Sequence, residues 1–319
     1  LSFKANSFYI LDYYNLVLSL DTQILIFLAF LIAFGIKVPM WPVHTWLPDA
    51  HVEAPSSGSV ILAAVLLKVG GYGMIRFLLP ITPDAGFYLN NFLIPLSLVA
   101  IIYISFVAIA QQDMKKLIAY SSIAHMGFVT LGIFLVFNTI GQAQDIQNIS
   151  HIGLQGAIMQ MLSHGLISAG LFICIGIIYS RTKSRMIDDQ SGIGQVMPVF
   201  SALMMFFLLA NSGLPGTSGF VGEFMVLIAA IKNNIMYAVL ASTTLVLAAS
   251  YSLWLGKRVL FGEVNNDNVA SMKILRFDEF WPLLILAILV ILIGIKPDLL
   301  LNISEESSMN MIKIITNKY

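Results

Sequence analysis

Three ionisable side chains stand in apolar surroundings where chemistry is a reason to keep them. Lys37 follows the apolar run Ile24–Ile36, Lys68 lies inside Val60–Met74, and Glu223 precedes Phe-Met-Val-Leu-Ile-Ala-Ala. Holding a charge at membrane depth costs roughly 2.5–3.5 kcal/mol on insertion scales. Desolvation makes a buried lysine readier to give up its proton, and a neighbouring carboxylate reverses that, so moving charge near it can switch it. Glu223 can accept protons from such a lysine or act as its structural partner; both roles can hold together, since a paired charge is cheaper to bury. A lysine can also snorkel to an interface. Lys37 is followed at once by Pro39, and Lys68 has Ala63–Leu67 before it and Val69-Gly70-Gly71 after it, so a structural reading is weaker there. His125, in Ser121-Ser122-Ile123-Ala124-His125-Met126-Gly127, and His164, in Ser163-His164-Gly165, titrate nearest neutrality. Each is equally a candidate relay or a hydrogen-bonded core histidine. The chemistry these five residues predict is proton transfer within a membrane.

Other sites carry less. His44, Asp49, His51 and Glu53 could be read as metal ligands, but they form no closed four-ligand set and are expected in a partner- or water-facing loop. Asn148-Ile149-Ser150 and Asn302-Ile303-Ser304 match a weak glycosylation pattern. The sequence contains no phosphate-binding glycine motif, no dinucleotide fingerprint and no CxxC, and its one cysteine, Cys174, cannot form an internal disulfide.

The elements that must position these residues follow from composition. The 319 residues are 58% hydrophobic and 11% charged, with formal net charge zero and a mean hydropathy of +0.86. Soluble domains are about 25% charged, so this chain is expected to be an all-α polytopic membrane protein with no nucleic-acid partner and with lipid around it. Spans need about 20 apolar residues. Eight are predicted: 22–47, 56–79, 88–110, 115–138, 152–180, 197–232, 235–260 and 280–297. Two are expected to be broken, the first by Pro39 and Pro42 and the sixth by Asn211–Gly219, and each break has a charge beside it. Paired interruptions of this kind point to inverted repeats with a site at mid-membrane. Residues 1–21 read as an interfacial lead-in and 298–319 as a polar tail. Lys115, Lys116, Arg181, Lys183, Arg185, Lys257, Arg258, Lys273 and Arg276 fall on one side, which is therefore expected to be cytoplasmic or matrix, with both termini opposite.

Lys37-Val38-Pro39-Met40-Trp41-Pro42-Val43-His44-Thr45-Trp46-Leu47-Pro48-Asp49-Ala50-His51-Val52-Glu53-Ala54-Pro55 resembles the signature of the antiporter-like subunits of respiratory complex I. Leu66–Gly73, Asp113–Ser122 and Leu214–Phe224 agree, in the right order, and the likeness runs from about residue 22 to about 297. Within that family the glutamate at 223 resembles the chain 4 subfamily, mitochondrial type. The resemblance implies a proton-translocating, non-redox subunit of NADH:ubiquinone oxidoreductase in the mitochondrial inner membrane. Loops 111–116, 181–196 and 257–279 would lie on the matrix side. It implies no cofactor on this chain, with FMN and iron–sulfur clusters in other subunits, and other membrane-arm subunits as partners. Lys37 would be the input-side lysine, Lys68 the central one, His125 and His164 the polar axis, and Glu223 the terminal acid. Residues 22–79 would be the last two helices of a first repeat, 88–260 a second five-helix repeat, and 280–297 a final span. The family pattern has six further helices before these, one carrying the glutamate that pairs with the residue matching Lys37. A split subunit is therefore expected, with a second chain supplying them. Leu1 is not methionine, so a fragment, a processed product or an unusual start is expected. Segment 138–151 is expected to be a long loop that contacts an accessory subunit. A multi-subunit cation/proton antiporter, or a structural spacer, shares the same fold and remains open at this point.

Overall fold

A computed structural model describes residues 1–139, 144–264 and 266–316. Short helices α1 (Ser2–Ala5) and α2 (Ile10–Tyr14) make up the lead-in, tied down where the Tyr14 hydroxyl donates to Arg76 O at 2.7 Å. Helix α3 (Leu20–Lys37) then ends at the expected break, and α4 (Trp46–Glu53) resumes as a separate short helix. Pro39 and Pro42 lack the N–H groups that would continue the ladder. Trp46 Nε1 donates to Ile36 O at 2.9 Å and pins the second piece to the end of the first.

Six further long helical rods follow. They are α5 (Ser56–Ile81), α6 (Pro83–Ile109), α7 (Met114–Phe134), α8 (Gln144–Thr182), a fifth rod in two pieces, α9 (Pro198–Asn211) and α10 (Ser218–Asn233), and α11 (Ile235–Leu260). Then come α12 (Phe277–Ile295) and α13 (Asp298–Thr316). Among the described residues seven helices are long and apolar enough to cross a membrane, and α9 with α10 forms the interrupted eighth. Glycines at 213 and 216, with φ of 78° and 90°, make that interruption, because the backbone there enters a region that side-chain-bearing residues avoid.

Helix α7 is the hub: nineteen of its residues are buried, and α6, α8 and α10 pack around it. Its N-terminus is closed by Asp113, whose carboxylate accepts from Lys115 N at 2.7 Å and Lys116 N at 3.2 Å. The outer helices show apolar faces to their surroundings, such as Leu25, Ile32, Val65 and Ile288, as lipid-facing helices do.

Three expectations change. The polar tail expected over 298–319 is helical over 298–316 and buries Ser308, Met311, Ile312 and Ile315 there. Its hydroxyls reach α8, with the Ser308 hydroxyl 3.0 Å from His151 Nε2 and accepting from Gln155 Nε2 at 3.1 Å. Ser304 and Ser308 face α8, while Asn302, Glu305, Glu306, Asn310 and Lys313 remain exposed. Of the loop expected over 138–151, residues 144–151 belong to helix α8, and 140–143 lie outside the described residues. His51 does not sit in a water-facing loop; it is wholly buried on α4, its ring stacked 4.4 Å from Phe172. Among the described residues no group of acids, histidines and cysteines is arranged to hold a metal.

Loops 111–116, 181–196 and 257–279 meet at one end of the bundle. Met114 N donates to Arg185 O at 3.0 Å, Arg258 pairs with Asp188, and Arg181 Nε donates to Lys273 O at 3.0 Å. Arg181 also holds Glu279 through two hydrogen bonds of 2.6 and 3.1 Å, a fork-to-carboxylate pairing that fixes the start of α12.

Candidate functional site: a buried file of lysine, histidines and glutamate

Lys68 lies on α5 between two wider-wound turns, Leu62–Leu66 and Met74–Leu78. Such π turns loosen the carbonyl ladder and recur at functional sites. Lys68 Nζ donates to Ala63 O, five residues back, at 2.5 Å. Its other contact crosses to α8, where Nζ is 2.7 Å from His164 Nδ1. The two helices approach closely there, and a Cβ on Gly165 would sit 3.0 Å from Ala64 O.

From His164 the file continues inward. Its ring centroid is 5.8 Å from that of His125 on α7. His125 Nδ1 is 2.6 Å from Glu223 Oε1 on α10, and both side chains are almost wholly removed from solvent, at 4% and 5%. Gln160 Nε2 donates to the same carboxylate oxygen at 2.9 Å. The Tyr251 hydroxyl on α11 is 3.2 Å from His125 Nε2. A cavity of about 10 Å³, close to what one water needs, lies among His125, Gln160, His164, Asn211 and Glu223. His164 Nε2 and Gln160 Oε1 are buried here without a hydrogen-bond partner among the described residues.

Four of the five sequence-predicted residues, Lys68, His164, His125 and Glu223, therefore form one file drawn from α5, α8, α7 and α10. Lys37 is not part of it. It sits exposed at the end of α3 and makes no ion pair among the described residues. Its break is built as expected, but the group that would hold its charge is not among these contacts.

Sequence reasoning missed Gln160 and Tyr251. Gln160 stands four residues before His164, one helical turn along the same face, and that spacing was a usable signal. Tyr251 is 126 positions from His125, and only the packing of α11 brings them together.

It also missed a clamp. The C-terminus of α4 leaves carbonyls that no intrahelical N–H can reach. Cations answer them: Lys115 Nζ donates to His51 O at 3.2 Å and to Ala54 O at 2.9 Å, and Arg185 Nη1 donates to Val52 O at 2.7 Å. Positive charge at a helix C-terminus is favourable in its own right. Lys115→Met should lose about 1.5–3 kcal/mol of stability, chiefly through the orphaned Ala54 O, since His51 O keeps the Ser59 hydroxyl at 3.1 Å, with Lys115→Arg recovering part of it. Thermal unfolding of the purified assembly measures this, and an unchanged midpoint for Lys115→Met would mean the clamp is idle.

Comparison with known proteins places this geometry. Residues 2–248 match the family model described as NADH:quinone oxidoreductase/Mrp antiporter, TM. NADH-ubiquinone oxidoreductase chain 4 of Chondrus crispus is 46% identical over 296 residues, covering 93% of this chain and 58% of that protein. NADH-quinone oxidoreductase subunit M of Rhodobacter capsulatus is 47% identical over 291 residues, covering 91% of this chain and 54% of its own length. The chain thus spans a little over half the length of these relatives. Among solved structures, a chain of respiratory complex I from Thermus thermophilus with bound NADH superposes with a TM-score of 0.87 at 29% identity, over 98% of this chain and 63% of that one. A chain of the Mrp complex from Dietzia superposes at 0.74 with 19% identity, over 90% of this chain and 60% of that one, a likeness of fold. With its broken helices, its buried lysine–histidine–glutamate file and a match over most of its length, this chain belongs to the NADH:quinone oxidoreductase/Mrp antiporter membrane family.

Proposed function

We propose that the chain is a proton-translocating, non-redox membrane-arm subunit of a respiratory NADH:quinone oxidoreductase. Protons would pass along Lys68, His164, His125 and Glu223. The observation that carries this reading is the file itself, in which each group contacts or faces the next inside the bundle. Lys68–His164 and His125–Glu223 are hydrogen-bonded pairs of 2.7 and 2.6 Å, and the small cavity sits where the two pairs meet. A hydrogen-bonded lysine–imidazole pair can exchange a proton in place. A histidine–carboxylate pair can hold one proton in either of two positions with little change in net charge. Electrostatic change at either end shifts both equilibria, which is the coupling a pump without redox chemistry requires.

On this reading FMN and iron–sulfur clusters belong to other subunits, and the partners are neighbouring membrane-arm chains and lipid. Residues 22–79 are the end of one repeat, 88–260 the next repeat, and 280–297 a final span. The membrane is the mitochondrial inner membrane, and the end bearing loops 111–116, 181–196 and 257–279 faces the matrix. Lys37 takes its counter-charge from a carboxylate outside these residues.

Lys68→Arg tests the reading. Arginine keeps the positive charge but does not release its proton. Proton translocation by the assembled complex in proteoliposomes should fall to background, with the amount of assembled complex near normal. Full translocation by Lys68→Arg would end the proposal. The multi-subunit cation/proton antiporter shares this fold, and the identities of 46% and 47% to oxidoreductase subunits favour the first reading. Co-purification with flavin- and iron–sulfur-containing chains separates the two.

A further inference from the structure

Tyr251 is 1% exposed, and its ring lies in the apolar cluster that also holds Phe200, Phe207 and Leu255. A buried phenol needs a partner for its hydroxyl. Among the described residues that partner is His125 Nε2, at 3.2 Å. Helix α11 is held in register one residue further on, where Asn211 Nδ2, from the interrupted helix, donates to Ser252 Oγ at 3.1 Å. The phenol is therefore placed by both the core and the break, and it occupies the ring nitrogen that faces away from Glu223.

The directions of the two contacts are coupled through the imidazole. With Glu223 ionised its carboxylate can only accept, and His125 Nδ1 then donates to Oε1. A neutral imidazole has one N–H, so Nε2 is then an acceptor and the Tyr251 hydroxyl is the donor. Adding a second proton to His125 would place an N–H at Nε2, facing the phenol's own hydrogen. The hydroxyl would have to turn away before the ring could accept that proton. The other titratable or charged groups facing His125 are Glu223 from α10 and His164 from α8, with Lys68 and His51 beyond His164. The ring of His125 thus has an acid at one nitrogen and a movable donor at the other.

We propose that Tyr251 is a positioning residue for the proton path, whose hydroxyl holds His125 as its Nδ1–H tautomer and controls reloading of Nε2. This rests on the reading of the Lys68–Glu223 file as that path. While the hydroxyl points at Nε2, the proton on His125 faces Glu223 and a second one is refused. When the hydroxyl rotates, Nε2 opens and takes a proton, and the imidazolium so formed passes its Nδ1 proton to Glu223, leaving the neutral Nε2–H ring. Tyr251 thereby controls when Nε2 loads and so when Nδ1 can deliver to Glu223.

The intact complex carrying Tyr251→Phe provides the test, because phenylalanine keeps the packing and removes only the donor. Without that donor nothing has to turn away before Nε2 takes a proton. The alkaline limb of the pH profile of proton translocation should move up by about half to one unit. A ring-fluorinated tyrosine at 251, with fluorine beside the hydroxyl, is a stronger donor of nearly the same shape and should move that limb down. It also decides the matter if Tyr251→Phe fails to assemble. Profiles that superimpose on the unmodified one, or that move the same way in both variants, would overturn the proposal. Glu223→Gln separates the two failures. If it abolishes translocation while the Tyr251 profiles superimpose, the proton path stands and the role of Tyr251 falls; if it translocates normally, the path itself is wrong.

Discussion

Glu223→Gln should abolish proton translocation and slow NADH–quinone turnover by at least about tenfold, while leaving the complex assembled. Positioned acid–base groups typically contribute about 10²–10⁴ in rate, so a tenfold fall is a conservative floor. Glutamine keeps the length of the side chain, an oxygen that can accept from His125 Nδ1 or Gln160 Nε2, and almost the same volume. It cannot bind and release a proton near neutrality, and it cannot carry the charge that answers the imidazole at 2.6 Å. The neighbouring packing does not depend on that charge: Ser163 Oγ donates to Ser218 O at 2.9 Å, and Gly222 lies against Gln160, whether or not residue 223 ionises. The check is a dye-based measurement of proton uptake by proteoliposomes containing the purified complex, alongside native gels for assembly. If assembled Glu223→Gln complex pumps normally, the carboxylate is structural and the relay reading fails. If assembly collapses while the surviving complex keeps full specific activity, the charge serves the fold alone.

A second large effect is expected from Gly222→Val, this time on stability. Helices α8 and α10 touch along one of the closest seams in the bundle. A Cβ at position 222 would lie 2.7 Å from Gln160 N, 2.8 Å from Gln160 Cα and 2.8 Å from Gln160 Oε1. Two of those atoms are backbone, so no rotamer change relieves the clash and the helices must separate. Small residues at such crossings are how membrane helices approach without a hydrophobic force between them. Overpacking of this kind costs typically 1–3 kcal/mol, and prising Gln160 from Glu223 adds about 1–3 kcal/mol for a buried charge that loses a donor. The expected result is a complex recovered at a small fraction of the normal level, with a sharply lowered unfolding midpoint. Normal recovery with an unchanged midpoint would show that the seam is looser than its geometry indicates. Gly222→Ala should lie between the two, because it brings the same first clash with fewer further atoms.

These two effects fall on adjacent residues, yet only one of them was legible beforehand. Glu223 announced itself as a carboxylate in an apolar stretch beside a glycine- and proline-rich interruption. Gly222 looked like any small residue in a membrane helix. The difference is that charge in an apolar segment is costly wherever the segment goes, so it is visible without a fold. The value of a missing side chain depends on what lies opposite.

The same distinction runs through the molecule. The amino-acid order alone determined the all-helical membrane class, the places of the spans, both interruptions and five candidate groups, four of which lie in the buried file. Each of these follows from local quantities: apolar run length, absent proline N–H groups, glycine's access to positive φ, and the expense of an unpaired charge. Tertiary structure decided the rest. It set the order Lys68, His164, His125, Glu223, which is not their order in the chain, because α8 packs between α5 and α10. It supplied Tyr251, more than a hundred residues distant, as the second partner of His125. It turned the polar stretch at 298–316 into a helix whose serines meet α8, and it withdrew His51 from solvent by stacking it on Phe172. It also drew Lys115 and Arg185 onto the open carbonyls of α4. Local chemistry fixes which groups are costly to bury; only the packing of distant helices fixes which of those groups meet and therefore what they can do together.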